Sequence, residues 1–535
     1  MRPAAPEPRL PPSVWALLAL AALVLALAHV RIVVVGPDAA RFSFDSAEYA
    51  LAGRTWLETG RLATPFVHPA ALGASPGPPY PLVVGHPLVP ALDAVAFALA
   101  GRDPLATVAP AVAAFVVTVL LVARLALALT GSRIAALGAA AAFAATPWSL
   151  RFASEGLSEM PFAAALTAAF LLLWQLPVRP RPVLLGVVLG LGHLARPVAV
   201  PLLPAFALGL WLASPAPLRA RHLLLAAAGF VPLAALTVLY KWAACGTPFV
   251  EVGGHLLLTG ASPELTVARL NRMTPPPEAL EWIREHPQAW LAKLARNLRS
   301  VAYGAWWLGG KWPGAFAALA CGFALLRGEP RARGLALAFG GAAALLTLLA
   351  SATVADPRML FPLLPAAVAL GFAALVRLAE LLGRGRPAWV ATVAALAVLP
   401  GALPLAREWR AAAAGGFAGR SAFHEREWRE LALEAGGLLP PEGGLVASDA
   451  APWIAWWTGR PVTLVPLEPV ALRAGPERLR PEAVVLTNEW LIARPGEEAW
   501  KRLFDERLAP PGFRLAGHVR AGRLEAVVFH RIAAP

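Results

Sequence analysis

Residues 104–130 read PLATVAPAVAAFVVTVLLVARLALALT, an apolar run whose single charge is Arg124. A bilayer-spanning helix needs about 20 predominantly apolar residues, so this stretch is long enough to cross. Working outward from it, further apolar runs cover Val14–Val35, Ile134–Leu150, Pro161–Leu176, Val183–Ala195, Val198–Ala213, Leu223–Ala244, Pro313–Leu326, Leu335–Ala355, Met359–Leu382 and Trp389–Leu405. Together they predict about eleven spans, the shorter ones accommodated by local thinning of the bilayer. The whole chain agrees, because 58% of its 535 residues are hydrophobic and only 15% are charged, with mean hydropathy +0.60. Soluble proteins carry about 25% charged residues, and disordered chains are poor in large apolar side chains. Both classes are excluded, and the expected fold is a polytopic α-helical membrane protein.

Arg2 and Arg9 precede the first run as they would in a secretory signal. That run is too long and lacks a small-residue cleavage site, so it reads as a retained helix. Orientation follows from the arginines. The connections 1–12, 124–133, 178–182, 214–222, 327–333 and 377–386 hold fourteen arginines against three glutamates, a balance of +11 out of a total of +14. Positive charge on alternate loops places the N-terminus and these loops in the cytoplasm, and an odd number of spans puts the C-terminus outside. The basic balance therefore reports topology and not nucleic-acid binding. Cys245 and Cys321, the only cysteines, read as unpaired thiols.

Three outward segments exceed mere turns: 36–103, 245–312 and everything from 406. In the first, Tyr49, Ala52, Trp56 and Leu57 recur at helical spacing and predict a short amphipathic helix at the membrane surface. A Pro/Gly-rich loop follows over Thr64–Pro90, and Leu88–Ala100, interrupted by Asp93, reads as juxtamembrane and not as a span. In the second, Leu280, Ile283, Trp290, Leu294 and Leu298 predict an interfacial helix within 278–307. Residues 406–535 carry 17 basic and 16 acidic side chains and read as a soluble α/β domain. Its expected strands are Leu445–Asp449, Pro461–Pro466, Ala483–Asn488 and Leu524–Ile532, with helices over Ser421–Leu433 and Gly496–Leu508. The expected organisation is a cytoplasmic N-terminus (1–12), a membrane domain (13–405) and an outer domain (406–535).

Charge near a bilayer is costly and needs a reason. Under this topology Asp45, Glu48, His86, Glu155, Glu159, Arg196, Asp356 and Arg358 all fall on the outer side. Carboxylates with scattered Arg and His at one surface of an apolar chain suit a substrate with an apolar tail and a phosphate head. A carboxylate serves as general base or holds a cation, and arginine neutralises phosphate. A transporter would instead place ionisable groups at the midplane of broken helices.

The motifs Phe44-Asp45-Ser-Ala-Glu48-Tyr49-Ala, His86-Pro87-Leu88, Ser158-Glu159-Met-Pro-Phe162, Ala195-Arg196-Pro197, Arg358-Met-Leu-Phe-Pro-Leu-Leu-Pro365 and Trp453-Ile-Ala-Trp-Trp-Thr-Gly-Arg460-Pro follow one another along the chain. In that order they resemble the GT-C class of integral membrane glycosyltransferases, in the branch of protein O-mannosyltransferases and the lipid A aminoarabinose transferase. The resemblance runs almost end to end. It implies transfer of a sugar from a polyprenyl-phosphate donor to a glycan, lipid or protein acceptor on the outer face of the cytoplasmic membrane, with inversion. Asp45 then stands at the position of the catalytic base and Glu159 at a second acidic position that orients acceptor or base. Arg196 and Arg358 stand where the carrier phosphate is bound, and His86 where relatives carry His or Lys. Glu48 and Glu155 are further candidates for substrate binding, although the first motif separates its two acids where some relatives have them adjacent. The resemblance fixes no cofactor; a divalent cation, if bound, would sit at Asp45 and Glu159. Membrane lipids are implied partners, and nucleic acid is not.

Structural roles compete at each position. Asp45 could cap the helix that follows it, and Glu159 the helix beginning at Pro161. Glu155 could pair with Arg151, and Arg358 with Asp356. His193 reads as a satisfied packing residue, Trp306 and its neighbours as an interfacial belt, and Asp449 and Arg460 as loop-stabilising residues. A lipid or glycan flippase that recognises headgroups without chemistry is the rival function.

Overall fold

The computed structural model describes residues 10–34, 43–69, 77–82, 86–246, 254–273, 277–308, 312–381, 387–413, 425–441, 443–474, 480–488 and 497–532. The N-terminal arginines Arg2 and Arg9 and the loop arginines Arg384 and Arg386 lie outside these. The longer helices are α1 (Pro12–His29), α2 (Phe44–Thr59), α3 (Leu88–Ala100), α4 (Val108–Thr130), α5 (Arg133–Ala144), α6 (Pro147–Ser154), α7 (Glu159–Gln175), α8 (Pro182–Ala195), α9 (Ala199–Ala213), α10 (Arg219–Cys245), α11 (Pro287–Leu308), α12 (Trp312–Arg327), α13 (Pro330–Ala352), α14 (Leu364–Leu381), α15 (Pro387–Ala413), α16 (Glu425–Gly437), α17 (Ala451–Thr458) and α18 (Glu498–Asp505). The chain divides into two compact units, one of residues 1–36, 108–237 and 294–417, the other of 37–107, 238–293 and 418–535.

The first unit is a helical bundle in which α4 packs against α1, α5, α7 and α14. Among the described residues six helical stretches are long and apolar enough to cross a membrane, and α5, α7, α8, α9 and α12 are shorter apolar helices at the expected places. The expected run 134–150 is broken, because α5 ends at Ala144 and α6 starts at Pro147. Proline disfavours helical backbone at the residue before it, and Thr146 is extended, with ψ 125°. His193 Nε2 lies 3.1 Å from Thr237 Oγ1. Cys245 and Cys321 are free thiols.

Close helix packing without large side chains sets part of this bundle. A methyl group at Gly186 of α8 would overlap the Ala226 carbonyl of α10, and one at Gly229 would overlap the Val183 carbonyl. In lipid, where helices gain little from apolar burial, such small residues let two backbones approach. Gly186→Ala is therefore expected to cost about 1–3 kcal/mol through overpacking. The check is thermal unfolding of the detergent-solubilised protein, and an unchanged midpoint would mean the contact is dispensable.

The second unit holds the sheet. Its strands are β1 (Ala63–Thr64), β2 (Phe66–Val67), β3 (Tyr80–Pro81), β4 (Val446–Ser448), β5 (Val462–Leu464), β6 (Ala483–Thr487), β7 (Phe513–Ala521) and β8 (Leu524–Arg531). β1 and β3 form an antiparallel pair, and the other six run in the order β2-β5-β4-β6-β8-β7. β2, β5, β4 and β6 are parallel, and β8 and β7 return antiparallel. β4, β5, β6 and β8 are the four strands expected from the sequence. Asp449 accepts from the Thr487 amide and hydroxyl at 2.8 and 2.9 Å, and Arg460 donates to the Pro440 carbonyl at 2.8 Å, so both stabilise loops.

Three sequence expectations are corrected here. The outer domain does not begin at 406, which lies within α15, and it is not a separate tail. β2 from the first outer loop is an edge strand of its sheet, and Ala47, Ala50 and Leu51 of α2 share one core with Trp428, Val446, Val484 and Phe529. α2 thus buries one face in this core, where the sequence suggested an amphipathic helix at the membrane surface. The predicted interfacial helix is interrupted at His286, whose φ of −127° ends the short helix Ala279–Glu285 just before Pro287. On α11 the buried face is Trp290, Lys293, Leu294, Asn297 and Val301, whereas Leu291, Leu298 and Tyr303 point outward. The polar groups go inside because backbone carbonyls satisfy them, Lys293 Nζ donating to Leu257 at 2.6 Å.

Candidate active site

The N-terminus of α2 is closed by Ser43, whose side chain accepts from the Ser46 amide while Ser46 Oγ accepts from the Ser43 amide. This reciprocal capping box satisfies the first exposed amides. Asp45 is therefore not the cap. It stands half-buried in the first turn, where the helix dipole favours a negative charge. Glu48, one turn on, is buried, and its Oε2 lies 3.4 Å from His68 Nε2. His86 is buried just ahead of α3.

α3 adds a carboxyl that the sequence marked only as an interruption. Asp93 is 1% exposed, packed where α3 crosses Gly53 of α2, and neither carboxyl oxygen has a hydrogen-bond partner among the described residues. Burial pushes its pKa well above the usual carboxylate range. The protonated form is favoured in the fold, so this contribution to stability is complete below about pH 4 and declines as pH rises toward the folded-state pKa. Within that window Asp93→Asn should gain on wild type by about 1.4 kcal/mol per pH unit. Thermal midpoints of both proteins across pH 4–8 test this, and parallel curves would refute it.

In the helical unit, Glu159 opens α7 and is 2% exposed. Arg196, in the break between α8 and α9, places Nη1 2.6 Å from Glu159 Oε1. Arg358, in the 3₁₀ turn Pro357–Leu363, lies 3.8 Å from the same oxygen and 2.8 Å from Asp356 Oδ2. Asp356 Oδ1 also accepts from the Arg358 amide at 2.8 Å, which fixes the turn. One carboxylate thus faces two guanidiniums, each a planar fork of five donors. Glu155 is held by Arg151 Nε at 2.6 Å, and burial raises its pKa against the lowering by that arginine.

No family model and no curated protein matches this chain. Solved structures do. ArnT from Cupriavidus metallidurans, in a structure bound to undecaprenyl phosphate, superposes with a TM-score of 0.53 at 13% identity, over 98% of this chain and 99% of that one. The chain has the GT-C fold. The Archaeoglobus fulgidus oligosaccharyltransferase matches this GT-C fold at a TM-score of 0.55 and 13% identity over 87% of this chain and 68% of that one. The mycobacterial arabinofuranosyltransferase AftD gives 0.51 at 16% identity over 98% of this chain and 42% of its own. The protein is accordingly a multi-pass membrane protein.

Within the GT-C fold the residues predicted from sequence fall into two sets. Glu159, Arg196 and Arg358 are brought together in the helical unit. Asp45, Glu48 and His86 belong to the other unit. Glu155 and Arg358 make the local pairs that the sequence allowed, with Arg151 and Asp356, and Glu155 also feels the charges of Glu159 and Arg358. The sequence reading missed His68, which follows a two-residue strand, and Arg272, whose guanidinium is fully buried against Glu497. Neither carries a local signal. Among the described residues no three His, Cys, Asp or Glu side chains form a group that could hold a metal ion, so no step is derived through one.

Proposed function

We propose that the protein is an inverting glycosyltransferase that takes a sugar from a polyprenyl-phosphate carrier and places it on an acceptor hydroxyl at the outer face of the cytoplasmic membrane. The observation that carries this reading is the 3₁₀ turn Pro357–Leu363. It presents Arg358 to Glu159, while Leu360, Phe361 and Leu363 of the same turn line an apolar cavity of about 520 Å³ among α11, α12, α13 and α14. A phosphate head and a hydrocarbon tail need such neighbours, a cation and an apolar groove.

In the proposed reaction Asp45 accepts the proton of the acceptor hydroxyl. The hydroxyl oxygen bonds to the anomeric carbon as the bond from that carbon to the phosphate oxygen breaks, its electron pair leaving with the phosphate. Arg196 and Arg358 offset the charge gathered there. Glu159, Arg196 and Arg358 all stand at helix ends and not along apolar spans, which favours the enzyme over a flippase. The orientation with an internal N-terminus and an external C-terminal unit belongs to the same proposal, resting on the arginine asymmetry.

Mass spectrometry of polyprenyl-phosphate sugars in membranes of a strain lacking the gene tests this. One sugar-loaded carrier should accumulate and be cleared by the wild-type gene, which would also name the sugar. Carrier pools unchanged by deletion would sink the reading and leave transport.

A further inference from the structure

The C-terminal sheet reaches the first turn of α2 in two places. Its edge strand β2 pairs with β5 through Phe66–Val462 and Val67–Thr463, and the Thr463 hydroxyl donates to the Val67 carbonyl at 2.9 Å. The next residue, His68, is thereby delivered to Glu48, with both side chains buried. Phe44, adjacent to Asp45, sits in a socket of three rings, Phe66 at 5.6 Å, Trp453 at 5.9 Å and His68 at 6.0 Å between centroids. Farther along α2, Arg54 donates to the Trp456 and Ala455 carbonyls at 2.7 and 3.3 Å, near the end of α17. A cation there meets the negative end of that helix.

We infer that the C-terminal sheet is the positioning element for Asp45, and that it acts through His68, which fixes the Glu48 carboxylate on the neighbouring turn of α2. This rests on the proposed role of Asp45. Residues three apart on a helix are neighbours on its surface, so a carboxylate locked at 48 limits how the first turn can rotate and keeps a second negative charge in one place beside the base. The charged or titratable groups identified at His68 are Glu48 on α2 and His255 in the turn Gly254–Leu258, the latter bonded to Asn271 at 2.9 Å. Burial is the chief cause that lowers the pKa of His255. The role assigned to His68 is geometric: an N–H aimed at one carboxylate oxygen, with the rest of the ring clamped by Phe44 and Phe66.

Two variants separate positioning from packing. His68→Phe keeps a ring in the socket and removes the N–H; His68→Gln gives up the ring and keeps an N–H at the right reach. With the purified full chain, solubilised membranes of the deletion strain supply both donor and acceptor, and the readout is release of polyprenyl phosphate. His68→Phe should lower turnover roughly 10- to 100-fold, within the range of effects seen when catalytic geometry is disturbed, while thermal stabilisation by added undecaprenyl phosphate stays at the wild-type level. His68→Gln should recover turnover to within about threefold, and Glu48→Gln added to His68→Phe should cost little more, as for groups acting as one unit. Should His68→Phe fail to fold, Glu48→Gln alone carries the test, with the same loss of turnover and the same retained binding. Turnover near wild type in His68→Phe, or His68→Gln no better than His68→Phe, overturns the inference. Wild type that releases no polyprenyl phosphate, or Asp45→Asn as active as wild type, sinks the proposed reaction itself; a dead Asp45→Asn beside an unaffected His68→Phe sinks only the role of His68.

Discussion

Asp45→Asn is expected to lower sugar transfer by about 10²–10⁴-fold, the range that a positioned general base contributes. The substitution is nearly isosteric and replaces the basic carboxylate that would take the acceptor proton by a non-basic amide. Its effect can be separated from damage to the helix, because Ser43 and Ser46 form the capping box at the N-terminus of α2. Loss of a negative charge in the first turn costs about 0.3–1 kcal/mol of helix stabilisation, too little to unfold the unit. Transfer from the carrier, measured beside the thermal midpoint, decides the point. Activity within a few-fold of wild type in a stable Asp45→Asn protein would remove this residue as the base.

The largest loss of stability is expected from Arg272→Met. Arg272 is fully buried, with Nη1 2.6 Å from Glu497 Oε1, Nε 2.8 Å from the Val465 carbonyl and Nη2 2.8 Å from that of Pro466. Methionine keeps much of the volume and leaves Glu497, itself 5% exposed, without its counter-charge. Removing one partner of a buried ion pair costs about 3–5 kcal/mol. Adding Glu497→Leu should recover part of this, since a buried pair exchanged whole for apolar groups is close to neutral. Recovery is incomplete because the Val465 carbonyl loses its donor, at about 1–3 kcal/mol. The Pro466 carbonyl keeps Trp500 Nε1 at 3.0 Å. Thermal unfolding and limited proteolysis of the solubilised full chain read both effects. If the double variant were less stable than Arg272→Met, the loss would lie in packing and not in the stranded charge.

Arg272 also illustrates where reading the chain alone stops. Its neighbours in sequence are Asn271 and Met273, in an outer loop whose composition looks solvated, and its partners lie two hundred residues away in the C-terminal region. His68 is similar. It follows a strand of two residues, too short to show alternation, whose partner strand is β5 at 462–464. β7 escaped for another reason: its ends, Phe513 and Ala521, are buried while its middle is open, so no alternating apolar pattern marks it. On α11, hydrophobicity pointed the wrong way, since Lys293 is buried against a carbonyl and Leu298 is exposed. For Glu159, Arg196 and Arg358 the motifs singled out the residues, but only the folded bundle shows them converging on one carboxylate oxygen.

Class, the position of most apolar helices and the strands β4, β5, β6 and β8 were determined by sequence alone, because each is a local sum: apolar length against bilayer thickness, apolar alternation along a strand. The tertiary structure decided that the first outer loop, part of the second and the C-terminal region make one unit. It also decided that Ser43 and not Asp45 caps α2, and that His68 meets Glu48. These outcomes depend on which distant backbone amides, carbonyls and charges satisfy one another once water is gone. Such pairings leave no periodic trace in the chain, and burial makes them obligatory.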